Sequence, residues 1–239
     1  MDFNSLLDQS GSYSKEITKE FFRSVYGYMF AALAISGSIA YMAGTPEFFI
    51  QYFVNQETGG IAPLFYVVAF APLGLGLLIQ MAYRRLSLAV LMILFIAYSA
   101  LMGLSLGSIF LVYSGQAIAM TFFVTAGAFA GMAILGYTTK TDLTKMGSLL
   151  YMLFIGMFIA AIVNIFMKSE MMDFVISIIG VFVFTGLTAY YMQQLKHISQ
   201  DESLSGLDRQ KLSIVGGLQL YILFVNLFLS LLRLFGSRD

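Results

Sequence analysis

Seven stretches of this chain are apolar for about 20 residues or more, the length an α-helix needs to cross the hydrocarbon core of a bilayer. They lie at roughly residues 24–44, 61–83, 87–113, 117–138, 147–167, 174–195 and 213–235. Together they occupy about two-thirds of the chain, and the short connectors that remain are insufficient for a separate soluble domain. The 13 Lys and Arg and the 13 Asp and Glu all fall outside the runs or at their ends. Only 11% of residues are charged and 59% are hydrophobic, against about a quarter charged in soluble domains. In lipid every backbone polar group must be satisfied internally, so spanning segments are helices or closed-barrel strands. Barrel strands would alternate polar and apolar residues over about ten positions, and these runs do not. The expected fold is an all-α membrane protein, a seven-transmembrane-helix bundle formed by residues 21–239, preceded by a polar tail at residues 1–20.

The residue inventory excludes several chemistries. Equal numbers of cationic and anionic residues leave no net charge, so the basic field that nucleic-acid binding relies on is absent and no nucleic acid is expected as partner. With no cysteine and a single histidine, His197, the chain cannot build disulfides, thiolate sites or paired-histidine metal motifs. His197 falls at the exit of run six, where a solvated side chain is the default. No nucleophile and base, metal cluster or acid pair can be assembled, so the chain reads as a non-enzyme without cofactor.

Orientation follows from the cations, because Lys and Arg near helix ends are retained in the cytoplasm. Ten of the 13 lie on one side: Lys15, Lys19 and Arg23; Arg84 and Arg85; Lys140 and Lys145; Lys196, Arg209 and Lys211. Lys168, Arg233 and Arg238 lie on the other. This predicts a multi-pass protein of the cell's inner membrane, with a cytoplasmic N-terminus and an external C-terminus. The first 20 residues are polar and acid-containing, unlike a cleaved signal peptide, so the first helix is expected to stay. Short connectors at Arg84–Leu86 and Ser114–Gln116 predict antiparallel hairpins for runs two to four. Gly103-x-x-x-Gly107 and Gly127-x-x-x-Gly131 remove side chains one turn apart, and both are expected to be packing seams.

Ion-coupled membrane proteins commonly hold Asp, Glu or His inside the bilayer, and these runs hold none in their interiors. What remains is neutral: Gln80, Asn164, Gln219 and Asn226, with Gln193 and Gln194 near the end of run six. The simplest role for such amides is hydrogen bonding between helices. The sharper one is that Gln219 and Asn226, seven residues apart and so on one helix face, line a polar path.

Several strings together resemble the Bax inhibitor-1 family, also called the transmembrane Bax-inhibitor-motif family, in its bacterial branch. They are Gly136-Tyr-Thr-Thr-Lys140-x-Asp142-Leu143, Phe184-Thr-Gly-Leu-Thr-Ala-Tyr190 and Leu220-Tyr221-x-x-Phe224-x-Asn226-Leu-Phe-Leu-x-Leu-Leu-Arg233, with Gly103-Leu-Ser-Leu-x-x-Ile109-Phe110 in run three. The likeness covers roughly residues 22–236 and implies a seven-helix bundle with the last helix at its centre. It also implies a pH-sensitive leak of Ca2+ or other cations, or, as in some bacterial relatives, modulation of a membrane-bound AAA protease.

The pattern is broken where the family carries two aspartates that share a proton. The matching positions are Tyr191 and Leu223. The family's neighbouring arginine matches Arg85, less securely Arg84. Two close carboxylates in a low dielectric push one pKa upward and switch near neutral pH. A leucine cannot ionise, and an unperturbed tyrosine does so only near pH 10. The acid-pair gate is therefore expected to be missing, with Arg85, Gln193, Gln219 and Asn226 left as candidate path or gate residues. A protein-binding role would instead use the N-terminal tail or the Lys196–Lys211 loop. The family's proline after the run-three motif is replaced by Ser108, which is expected to straighten that helix.

Overall fold

The computed structural model describes residues 3–201 and 203–236, with side chains from Lys15 onward. Its elements are α1 (Phe3–Ala43), α2 (Pro46–Phe53), α3 (Pro63–Ala82), α4 (Leu88–Leu106), a 3-10 segment (Gly107–Leu111), α5 (Gly115–Thr138), α6 (Thr144–Met167), α7 (Glu170–Ser199) and α8 (Gly206–Phe235). Seven helices are long and apolar enough to cross a membrane: Lys15–Ala43, Pro63–Ala82, Leu88–Leu111, Gly115–Thr138, Thr144–Met167, Glu170–Ser199 and Gly206–Phe235. They coincide with the seven apolar runs. Among the described residues, the extended pairing is one antiparallel bridge between Val54 and Ile61.

Local chemistry sets the helix starts. Pro46 and Pro63 stand in the first turns of α2 and α3, where proline's missing N–H is no loss. Thr45, Ser87 and Ser114 accept from the amides of Phe48, Val90 and Ala117 at the starts of α2, α4 and α5, satisfying donors that have no partner within the helix.

The chain forms two compact units, residues 1–111 with 196–219, and residues 112–195 with 220–239. In the first, α1 packs along α4 through a seam that needs glycine. A Cβ at Gly103 would stand 2.7 Å from the Ser36 carbonyl oxygen, and one at Gly107 would meet Ala43 at 3.1 Å. Tyr28 and Phe95 close the same pair edge to face, with ring centroids 5.7 Å apart. Gly217 brings the first half of α8 onto α1, since its Cβ would lie 2.7 Å from the Val25 carbonyl. The α3 and α4 hairpin is also closed here, with Gly76 seated under the Tyr98 ring. The α1 to α3 connector is more ordered than its sequence suggests. Helix α2 carries Phe48, Phe49 and Phe53 into an aromatic cluster with Phe65 of α3.

In the second unit, Gly136 of α5 lies against the backbone of Ala189 in α7, and Gly147 of α6 faces the Tyr190 ring. Phe224 of α8 takes the edges of Phe122 and Phe129 of α5, at 5.4 and 5.5 Å between centroids. Gly180 of α7 sits against Ser230 of α8. As expected, the last helix is the most enclosed of the seven. Its apolar stretch is 78% buried, against 11–39% for the others. Outward-facing positions such as Ile93, Phe123, Phe166 and Phe182 remain exposed, as lipid-facing surfaces require.

One expectation is corrected. Gly127 and Gly131 are exposed and would meet nothing within 4 Å, so this spacing is no seam within the chain. The α5 glycine that forms a seam is Gly136. At Ser108, where the family's proline is replaced, the third span tightens from α-helical into 3-10 geometry, which begins at Gly107. The Ser108 hydroxyl donates to the Ser105 carbonyl at 3.0 Å, an i−3 bond that suits the tighter winding.

Gly103→Ala should therefore lower the thermal stability of the detergent-solubilised protein by about 1–3 kcal/mol through overpacking. Gly127→Ala should change it by less than about 1 kcal/mol, in the stabilising direction, because alanine is the better helix former.

Candidate functional site

Nine serine and threonine side chains are buried, at positions 36, 99, 121, 125, 177, 188, 199, 213 and 230. Eight return their proton to a carbonyl three or four residues earlier in their own helix, for example Ser99 to Phe95 at 2.9 Å, Thr125 to Thr121 at 2.7 Å and Thr188 to Phe184 at 2.7 Å. Such bonds remove the penalty of an unpaired hydroxyl without linking helices. The exception is Thr121, whose hydroxyl has no partner among the described residues.

The buried amides are used as fasteners. Gln193 on α7 is 5% exposed. Its Oε1 accepts from the Leu143 amide at 2.9 Å, and its Nε2 donates to the Thr141 carbonyl at 2.8 Å. Leu143 stands at the start of α6, so Gln193, by pairing its amide and the Thr141 carbonyl, locks the α5 to α6 connector. Asn164 does the same for the next turn. Its amide donates to the Ser169 carbonyl and the Asp173 carboxylate and accepts from the Ser169 amide, at 3.1, 2.7 and 3.0 Å. This holds Lys168 in the left-handed region at φ 51°.

In the first unit, Gln80 Nε2 donates to Gln219 Oε1 at 3.0 Å, joining α3 to α8. Lys211, only 8% exposed, donates to the Arg84 carbonyl at 3.3 Å. An ammonium just beyond the end of α3 complements the carbonyls left open there. Reading Lys211 only as a loop cation misses this; the one available signal is that it falls five residues inside what proves to be a 30-residue helix. Arg84 and Arg85 are exposed, and the Arg84 Nε donates to the Tyr83 hydroxyl at 3.1 Å. The α7 to α8 connector is pinned by Asp201, whose Oδ1 accepts from the Ser203 hydroxyl at 2.6 Å and amide at 2.9 Å. These two bonds, the hydroxyl's first, hold its carboxyl below the usual range. His197 is exposed.

Helix α8 has one less enclosed face. Between residues 211 and 232 its incompletely buried positions are Leu212, Gln219, Ile222, Asn226 and Leu229, a single stripe at helical spacing. Both amides singled out from the sequence stand on it. Asn226 gives its Nδ2 to the Ile222 carbonyl at 2.8 Å, and its side-chain oxygen has no donor among the described residues. Leu223 is 3% exposed and Tyr191 is half-buried. Among the described residues no carboxylate is buried, and no group of acids or histidines could hold a metal ion.

The seven spans and neutral interior define a multi-pass membrane protein. A sequence profile described as "Inhibitor of apoptosis-promoting Bax1" matches residues 18–239. The inner membrane protein YbhL of Escherichia coli K12 is 40% identical over 215 residues, covering 90% of both chains. Uncharacterized proteins of Caulobacter vibrioides and Borreliella burgdorferi are 42% and 39% identical, over 92% and 93% of this chain and 89% and 94% of theirs. The chain belongs to the Bax inhibitor-1 family.

Removing the Gln193 clamp leaves the Leu143 amide and Thr141 carbonyl unpaired at once. Gln193→Leu should destabilise the protein by about 1–3 kcal/mol per orphaned group. Hydrogen exchange at the Leu143 amide should accelerate at least about tenfold, while exchange in α1 stays unchanged.

Proposed function

We propose that this protein passes cations across the membrane without the acid-pair switch of its family, and that it does so without enzymatic chemistry. One observation carries the reading. Asn226 presents an unclaimed neutral oxygen on the only stripe of α8 that is not fully buried. Hard cations such as Ca2+ are bound by oxygen ligands, amide carbonyls included. A neutral oxygen offers modest affinity, which suits passage better than capture. Gln219, on the same stripe, has its oxygen engaged by Gln80 and contributes chiefly to holding α3 on α8. On this reading Tyr191 and Leu223 stand at the family's acid positions, so no carboxylate pair is available there.

The test uses the purified chain in liposomes loaded with a calcium dye. Flux should exceed that of empty liposomes and differ by less than about twofold between pH 6 and pH 8, since the coupled carboxylates that would switch in that window are absent from the acid-pair positions. Asn226→Leu should lower it several-fold. The Tyr191→Asp, Leu223→Asp double variant should acquire a pH response, because coupled carboxylates titrate upward of their usual range. No flux from the native chain, or a native pH response of the same size as the double variant's, would overturn the proposal.

A second reading rests on α1. At 1.5 Å per residue its 41 residues extend about 60 Å, twice the roughly 30 Å hydrocarbon core. About half of it therefore stands outside the bilayer, carrying Lys15, Glu16, Lys19 and Glu20. That arm suits a regulator that grips another membrane protein, such as a protease. Crosslinking in membranes should give a partner lost on deletion of residues 1–18, and an unchanged pattern would remove this reading.

A further inference from the structure

A buried hydroxyl that does not bond its own helix, that of Thr121, lines a cavity. Of about 350 Å³, this cavity lies in the second unit, between the first turns of α5 and the last turns of α8. That volume is within the range of small-molecule sites, about 300–1,000 Å³. Its walls are of two kinds. Ser114, Gln116 and Thr121 supply polar groups, while Met120, Val124 and Phe235 are apolar and strongly exposed on the face a bilayer would cover. The cavity is thus open on a lipid-facing side and polar at the end where α5 begins.

The polar groups are arranged in depth. At the start of α5 the Ala117 amide is capped by Ser114 and the Ile118 amide by the Ser114 carbonyl. The Gly115 and Gln116 amides are left at a helix terminus that favours negative charge. Six residues further in, about 9 Å along the helix axis, stands Thr121, 6% exposed. Every other buried serine and threonine hydroxyl among the described residues is neutralised by a carbonyl of its own helix, and Thr125, one turn on, bonds the Thr121 carbonyl itself. A ligand matching this spacing carries an anionic oxygen at the membrane surface, an ester oxygen one step deeper, and hydrocarbon beyond. We propose that the cavity binds one phospholipid of the surrounding bilayer, its phosphate at the start of α5 and an ester carbonyl accepting from Thr121.

The test is native mass spectrometry of the full chain, purified in detergent and stripped of lipid, then titrated with phosphatidylglycerol, diacylglycerol or inorganic phosphate. One phosphatidylglycerol per chain should be retained. Thr121→Val, which keeps the shape and removes the donor, should weaken binding about tenfold, whereas Thr125→Val should leave it unchanged. Ala117→Phe, on the cavity wall, should abolish it while circular dichroism shows an intact helical fold. Equal binding by native chain and Thr121→Val would overturn the site, as would lipid retained by Ala117→Phe. Diacylglycerol binding as tightly as phosphatidylglycerol would exclude the phosphate contact. Inorganic phosphate competing on equal terms with lipid would exclude the acyl part.

Discussion

Every polar group placed inside a bilayer must find its partner within the protein, because lipid supplies none. That constraint organises this chain. The backbone meets it by being helical in all seven spans. Eight of the nine buried serine and threonine hydroxyls among the described residues meet it within their own helices. The amides meet it by bridging, and so become the chain's fasteners. Gln193 completes the start of α6, Asn164 ties the α6 to α7 turn, and Gln80 joins Gln219. With hydrocarbon on all sides there is little hydrophobic gain in pressing one apolar helix on another, so close approach at small residues does that work. Gly103, Gly107 and Gly217 serve it in the first unit, and Gly136, Gly147 and Gly180 in the second.

The same constraint bears on function. An interior that has satisfied nearly all of its polar groups internally has few left to offer a solute. Two groups on less enclosed surfaces are therefore informative: the Asn226 oxygen on the open stripe of α8, and the Thr121 hydroxyl in the cavity beside α5. Neither is ionisable, and no carboxylate is buried among the described residues.

Much of this was legible beforehand. Span number, span limits and family membership follow from apolar length, uncharged run interiors and a few strings around Gly136, Phe184 and Leu220. The role of Gln193 was not legible. Read as a residue near the end of a span it suggests a path, and only the fold shows both ends of its amide taken up by the connector at Thr141 and Leu143. Gly127 and Gly131 show the converse limit, since the same spacing that makes a seam of Gly103 and Gly107 faces outward on α5. Spacing gives a shared helix face, and says nothing of what that face meets.

The sequence by itself determined that this is a seven-span membrane protein with a neutral interior, because transfer into lipid is decided residue by residue and leaves its record in composition along the chain. Only the tertiary structure decided which glycines are crossing points, that Lys211 closes the end of α3, that α2 orders the first connector, and that Thr121, among the buried serines and threonines described, does not bond its own helix. Those outcomes depend on which faces meet, and a hydrogen-bond partner a hundred residues away leaves no mark in the local pattern.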